Sequence, residues 1–98
     1  MIKHIVCWDI TDKKNLKEHA QKVKDVLENL NGKIPGLLKI EVGFNYSDSE
    51  TASDIVLYSE FESKEALASY IKHPLHVEAG KNTVRPVTSN RRMIDYEV

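Results

Sequence analysis

The sequence predicts an α+β fold in which a four-stranded antiparallel sheet carries two helices on one face. The periodicity of apolar residues changes along the chain in the order strand, helix, strand, strand, helix, strand. The first and third predicted strands are apolar on both sides, as strands in the middle of a covered sheet are. The chain has 98 residues, so we expect a single domain over residues 1–98.

The first strand and the first helix are predicted by two different periods. Residues 2–10 are rich in isoleucine and valine, contain Trp8, and end at a polar TDKK segment, which is typical of a strand. A helix follows over about residues 13–30, where apolar residues recur at spacings of four and three. These residues are Leu16, Ala20, Val23, Leu27 and Leu30.

The second and third strands follow a KIPG turn and are separated by a polar loop. The second strand alternates apolar with polar residues, as an edge strand does. Its apolar residues are Leu38, Ile40, Val42, Phe44 and Tyr46. The third strand is predicted over residues 54–61, with Val56 and Tyr58 on one side and Ile55, Leu57 and Phe61 on the other.

The second helix and the last strand complete the pattern. Ser63 can cap a helix that stops near Lys72, because the residue before Pro74 is pushed out of the helical region. Residues 74–90 are expected to be irregular, apart from a short helix from Pro74 to Lys81, and residues 91–98 are expected to form the last strand. The resulting βαββαβ order is that of the ferredoxin-like fold.

The sheet is expected to have a second apolar face that the helices do not cover. Its predicted residues are Ile5, Cys7, Ile55, Leu57, Phe61, Ile94, Tyr96 and Val98. Such a patch is larger than monomers usually expose, and a second copy packed sheet against sheet would bury it. We therefore expect a homodimer, which Ile55→Asp or Leu57→Asp would split.

The composition argues against several classes of partner. The net charge is −1 at pH 7, so no strong field attracts nucleic acid or an anionic membrane. No apolar run approaches the roughly 20 residues that cross a bilayer, and the N-terminal residues are unlike a signal peptide. The single cysteine, Cys7, indicates a reducing compartment. We expect a cytoplasmic protein that binds neither nucleic acid nor membranes.

The segment YIKHPLH, residues 70–76, contains a tyrosine and two histidines, which are the candidate functional residues of the sequence. His73 stands where the helix stops, and an imidazole there can bond the free carbonyls of the last turn. A metal site would need three or four protein ligands, and Pro74 interrupts the helix between the two histidines, so we expect no metal. Arg85, Arg91 and Arg92 could attract an anion, although arginines near a terminus are usually solvated.

Acid/base chemistry is the remaining interpretation of this segment. Tyr70 leans toward the sheet, and His76 follows the helix break and can fold back over the same space. A neutral histidine can take a proton from carbon next to a carbonyl, and a phenol can donate a hydrogen bond to the enolate oxygen. A buried tyrosine and histidine that only satisfy each other would fit the residues equally well. The candidate substrate-binding residues are His4, Val6, Trp8 and Val56.

The chain resembles the stress-responsive A/B barrel domain (Dabb) family in MIKHIVCW, IPGLLKIEVGFN, DIVLYSEFESKEALASYIKHPLH and IDYEV. The resemblance implies a dimeric α/β barrel. Most members have no assigned reaction, but a plant branch is described as polyketide cyclases that need no metal or organic cofactor. In that branch the tyrosine and second histidine of Y-x-x-H-P-x-H are the proposed acid/base pair, which implies Tyr70 and His76 as catalytic residues. The resemblance also implies that His4 lines the pocket.

Three functions follow from the residues and the resemblance. The first is a cofactor-free, cyclase-like acid/base enzyme with a small apolar pocket for a carbonyl or aromatic compound. The second is a non-catalytic, stress-associated structural or ligand-binding module. The third is a monooxygenase-like member of the dimeric α/β barrels. The sequence departs from the cyclases at Asp54, which stands where they carry a histidine.

Overall fold

A four-stranded antiparallel sheet forms one layer of the structure, a computed structural model that describes residues 1–98. Its strands are β1 (Ile2–Ile10), β2 (Leu37–Phe44), β3 (Ile55–Phe61) and β4 (Thr88–Glu97). They lie in the order β2-β3-β1-β4, with all neighbours antiparallel. The prediction that the first and third strands are central is confirmed.

Helical segments form the second layer, on one face of the sheet. They are α1 (Leu16–Glu28) after a 3₁₀ turn (Lys13–Asn15), α2 (Lys64–Lys72), α3 (Pro74–Ala79), a π-helical turn (Gly80–Val84) and a last helical turn α4 (Arg85–Val87). The ferredoxin-like βαββαβ order is confirmed. The short helix expected after Pro74 is confirmed as α3, but the expectation that the rest of residues 74–90 is irregular was wrong, because helical turns of changing pitch continue to Val87.

The break between α2 and α3 has a local cause. α2 begins at Ser63, whose hydroxyl accepts the backbone N–H of Ala66 at 3.1 Å. It ends at Lys72 because His73 is extended, with φ −64° and ψ 134°, as the residue before a proline prefers. Pro74 then starts α3, where its missing N–H costs no helical hydrogen bond.

The pairing register decides which side of β3 faces the helices. Val6 lies opposite Leu57, and Cys7 lies opposite Val56. Ile55, Leu57 and Phe61 are therefore buried under the helices, at 3% exposure or less, and their predicted place in a dimer interface was wrong. Both sides of β3 are apolar, so alternation alone could not tell which side meets the helix-covered side of β1.

The uncovered side of the sheet, called here the open face, holds a mixed set of side chains. Its members include Lys3, Ile5, Cys7, Lys39, Glu41, Val56, Tyr58, Glu60, Arg92, Ile94 and Tyr96. Lys3 and Lys39 place their ammonium groups 5.7 and 5.6 Å from the centre of the Tyr58 ring. The open face is thus less apolar than expected, with a polar region around Tyr58.

A β-bulge interrupts β4 beside the middle of the chain's first strand. Cys7 pairs with Arg92 and Asp9 pairs with Ser89, so Asn90 and Arg91 share the place opposite Trp8. Asn90 has a positive φ of 52°, which is uncommon for a residue with a side chain. Its amide donates a hydrogen bond of 2.8 Å to the Asp9 carboxylate, which holds the bulge in place.

Candidate functional site

A cavity of about 220 Å³ lies between the sheet and the helices. The sheet contributes His4, Val6, Trp8, Leu57 and Arg91 to its wall. The helical layer contributes Leu27, Tyr70, His76, Gly80, Val84 and Arg85. Five of the sequence-predicted site residues therefore lie along one cavity: His4, Val6, Trp8, Tyr70 and His76. Val56 does not, because it lies on the open face, and Leu57 occupies the place expected for it.

Tyr70 is fully buried at the floor of the cavity. Its ring centre lies 4.8 Å from that of Phe61 and 4.2 Å from that of His76. Its hydroxyl is buried but has no hydrogen-bond partner within the chain. Burial raises the pKa of the phenol, so the hydroxyl keeps its proton and presents an unused donor.

His76 presents a basic nitrogen beside Tyr70. Its Nδ1 lies 3.1 Å from the carbonyl oxygen of Ile71, and a carbonyl only accepts, so Nδ1 carries the proton and Nε2 has a free lone pair. Burial lowers the pKa of His76, and the charges of His4, Arg85 and Arg91 lower it further, against the opposing effect of the Ile71 carbonyl. A histidine that is neutral at pH 7 can act as a base.

His4 is buried in β1 and is oriented by a carboxylate that sequence reasoning missed. Its Nδ1 bonds the Asp95 carboxylate, which lies opposite His4 in β4. A carboxylate accepts at this nitrogen, so Nδ1 carries a proton and Nε2 is the ring nitrogen left for other partners. The centres of the His4 and Tyr70 rings are 6.4 Å apart. In the sequence, Asp95 stands out only as an acidic residue on the same side of the last predicted strand as Met93.

His73 lies outside the cavity and acts as a helix cap. Its Nδ1 accepts the backbone N–H of Leu75 at 3.1 Å, at the start of α3. The expectation that its imidazole binds carbonyls at the end of α2 was wrong, since His76 binds one of them, that of Ile71. The extended backbone before Pro74 points His73 toward the next helix instead.

Two arginines complete the wall of the cavity. Arg85 and Arg91 are exposed residues that line it, so their side chains lie at its solvent end. The sequence alone left open whether they attract an anion or are solvated, because neither the turn that carries Arg85 nor the bulge that carries Arg91 has a sequence period. No group of three histidine, cysteine, aspartate or glutamate side chains is arranged to hold a metal ion. None of the helices combines the length and apolar character that a membrane crossing requires.

Comparison with known protein families identifies the family of the chain. The model of the Stress Responsive A/B Barrel Domain family matches residues 2–98. The chain belongs to this family. It is 33% identical over 99 residues to a stress-response A/B barrel domain-containing protein of Arabidopsis thaliana, in a match that covers 98% of the chain. The match covers 36% of that protein, so the chain spans about a third of the relative's length.

Solved structures share the whole fold. A dimeric protein of unknown function from Bacteroides fragilis, with a ferredoxin-like fold, is 35% identical, with a TM-score of 0.87 over 99% of this chain and 95% of that one. A dimeric ferredoxin-like protein from Thermobifida fusca is 20% identical, with a TM-score of 0.85 over 99% and 90%. The fold alone is also shared with an antibiotic biosynthesis monooxygenase at 12% identity, with a TM-score of 0.77 over 100% and 98%.

Proposed function

We propose that this A/B barrel domain is a cofactor-independent enzyme that moves a proton at carbon next to the carbonyl of a small, partly apolar compound. The observation that carries the proposal is that Tyr70 lines the cavity and that its buried hydroxyl has no partner within the chain. Leaving a buried hydroxyl unpaired costs about 1–3 kcal/mol, so a purely structural tyrosine is expected to be paired. A substrate oxygen would supply the missing acceptor.

The proton transfer divides between His76 and Tyr70. The Nε2 lone pair of His76 takes the proton from carbon, and the electron pair of the broken C–H bond becomes the C=C bond of an enolate. The charge moves to the former carbonyl oxygen, to which Tyr70 donates its hydrogen bond. Return of the proton, to carbon or to oxygen, completes the reaction without an oxidant or reductant.

The surroundings of these two residues support the same chemistry. His4, oriented by Asp95, adds a second imidazole to the wall of the cavity. Val6, Trp8 and Leu57 form an apolar wall for the rest of the substrate. Water is displaced from such a wall when the substrate binds, which strengthens the Tyr70 hydrogen bond.

Hydrogen–deuterium exchange tests this function directly. Small aryl ketones, among them 4-methylacetophenone and 4-acetylbenzoate, are incubated with the protein in D₂O, and loss of the proton signal next to the carbonyl is followed by NMR. We expect His76→Ala to remove the enzyme-dependent rate and Tyr70→Phe to lower it about 10- to 1000-fold. His73→Ala is the matched control and keeps the rate, because His73 lies outside the cavity. Exchange no faster than in buffer for all the ketones would contradict the proposal.

A non-catalytic ligand-binding module is the second candidate. The tilted stack of Tyr70 on His76, with ring centres 4.2 Å apart, favours it, because aromatic faces bind flat ligands without any proton transfer. Saturable binding without exchange would identify this function. Only a shared fold supports the monooxygenase prediction, and a fold does not determine a function.

We also propose that the domain forms a homodimer through its open face. Ile5, Val56 and Ile94 lie together there, and Ile94 is 57% exposed in the single chain. Relatives of the same fold at 35% and 20% identity are dimeric, which supports the proposal. We further propose a cytoplasmic location, where the lone Cys7 would stay reduced.

A further inference from the structure

We infer that the ligand of this cavity carries a carboxylate, or another compact anionic group, and that Arg85 and Arg91 bind it. The inference rests on the proposed function for the reacting end of the ligand and assigns the charge of its other end. Its basis is the juxtaposition of two guanidinium groups from separate elements at the solvent end of one cavity.

Both guanidinium groups lack a counter-charge within the chain. Neither arginine takes part in any of the ion pairs, which involve His4 and lysines only. No aspartate or glutamate lines the cavity, although the chain has 15 acidic and 14 basic residues. A guanidinium cannot be deprotonated in a protein, so the solvent end of the cavity is permanently cationic.

The position of Arg91 depends on the bulge in β4. If the ladder continued regularly from the Asp9–Ser89 pair, Arg91 would lie opposite Cys7 and on the open face. The extra residue moves it opposite Trp8, on the side of the cavity. The bulge requires the positive φ of Asn90, a conformation that is unfavourable for a residue with a side chain. The irregular backbone of β4 therefore lies at the residue that brings the Arg91 guanidinium group to the cavity.

Arg85 reaches the same cavity from the helical layer. It directly follows the π-helical turn Gly80–Val84, and Gly80 and Val84 of that turn also line the cavity. Single π-helical turns are rare and occur often at functional sites. Two planar, multidentate donors on opposite walls suit a carboxylate, which accepts paired hydrogen bonds from a guanidinium.

The depth of each group sets the orientation of the ligand. Tyr70 is fully buried, whereas Arg85 and Arg91 are exposed, so the carbonyl would lie at the floor and the anionic group at the opening. The apolar wall between them accommodates an alkyl chain or a ring. The substrate class that follows is a small alkyl or aryl keto acid with an enolisable carbon.

A matched pair of ligands separates charge from shape. 4-Acetylbenzoate and 4-methylacetophenone share a carbon skeleton, with a ring between the carbonyl and the second group, and differ in a carboxylate against a methyl group. Affinities for the wild type and for Arg85→Gln with Arg91→Gln are measured by calorimetry, with circular dichroism to verify folding. We expect the wild type to bind the keto acid about 10-fold or more tightly than the ketone, and the double variant to lose that preference while its affinity for the ketone stays unchanged.

A control variant removes equal charge elsewhere. Lys72→Gln with Lys81→Gln neutralises two exposed lysines that do not line the cavity, and it should keep the preference for the keto acid. Equal affinity of the wild type for both ligands, an equal loss in the lysine control, or no binding of the keto acid at about 10 mM would overturn the inference.

The exchange assay keeps the two proposals distinguishable. Arginine-dependent binding of the keto acid without deuterium exchange supports the anionic ligand and contradicts the enzyme. Equal affinity for both compounds, with enzyme-dependent exchange in both, overturns the anionic ligand and supports the enzyme.

Discussion

At the scale of single residues, the unpaired hydroxyl of Tyr70 separates function from stability. Tyr70→Phe removes a buried polar atom that has no partner, so we expect the free energy of unfolding to stay unchanged or to rise by about 1 kcal/mol. Ser59→Ala is the matched control: Ser59 is equally buried, but its hydroxyl donates to the His4 carbonyl at 2.8 Å. That variant should lose about 1 kcal/mol. Urea denaturation measures both, and an equal loss in the two variants would contradict the assignment of Tyr70.

The titration of His76 is a second prediction at this scale. Burial, together with His4 on β1, Arg85 on the helical layer and Arg91 on β4, lowers the pKa of His76 below 6.5. In the unfolded chain, His76 therefore takes up a proton near pH 6.5, whereas in the folded chain it does so only at lower pH. The free energy of unfolding therefore falls as the pH drops below 6.5. The fall ends below the folded-state pKa, and the acid limb of proton-transfer activity should lie in the same range. Tyr70 faces the ring but stays neutral.

NMR titration of the His76 ring protons tests whether its pKa is lowered in the folded chain. Replacing both arginines by glutamine should move the midpoint upward, because two of the charges that disfavour the imidazolium are gone. A midpoint at or above 6.5 in the wild type would contradict the predicted direction.

The sequence was informative about some site residues and silent about others. Tyr70, His76 and His4 could be named because a helix period, a proline break and a strand alternation point them inward. Asp95 could not be named, and Arg91 could be named only as a residue that could attract an anion, because their places depend on the pairing of β4 with β1 and on a bulge. Pairing of strands distant in sequence leaves no local period.

At the scale of elements, the turn before β2 controls how closely α2 packs on the sheet. Gly36 has a φ of 83°, and a Cβ there would lie 2.5 Å from the Cβ of Ala66 in α2. Gly32 has a similar φ of 76° but nothing within 4 Å, so it isolates the cost of the backbone conformation. We expect Gly32→Ala to cost about 1 kcal/mol and Gly36→Ala about 1–3 kcal/mol more, from overpacking.

Thermal unfolding of the two variants measures this difference. Because α2 carries Tyr70, Gly36→Ala should also weaken ligand binding, whereas Gly32→Ala should leave it intact. Equal destabilisation would mean that α2 yields freely to the added methyl group, and the close packing would then have no part in holding Tyr70.

Residues 74–87 show which elements a sequence period can predict. α1 was predictable because its apolar residues recur on one face over several turns. α3, the π-helical turn and α4 change pitch within 14 residues and bury only Ala79 and Val84, so no single period describes them. They add Ala79 and Val84 to the core, and they line the cavity through His76, Gly80 and Arg85.

At the scale of the whole molecule, the two-layer fold was predictable but the assignment of the two sides of β3 was not. The element order and the two-sided central strands point to one architecture. The choice between the Val56 side and the Leu57 side depends on contacts across the sheet, and the prediction that the Leu57 side lies on the open face was wrong. The expected dimer interface therefore changes its members, from Ile55 and Leu57 to Ile5, Val56 and Ile94.

The last prediction uses this corrected open face. Ile94 is 57% exposed in the single chain, so Ile94→Asp should leave the fold intact and split the dimer, because a carboxylate buried without a partner is costly. Leu57→Asp should unfold the chain instead, since Leu57 is 3% exposed within the core. Ile71→Asp, at a 50% exposed position of α2 on the helical side, is the matched control and should remain dimeric. Sedimentation velocity at about 10 µM distinguishes these outcomes, and a monomeric wild type at that concentration would rule the interface out.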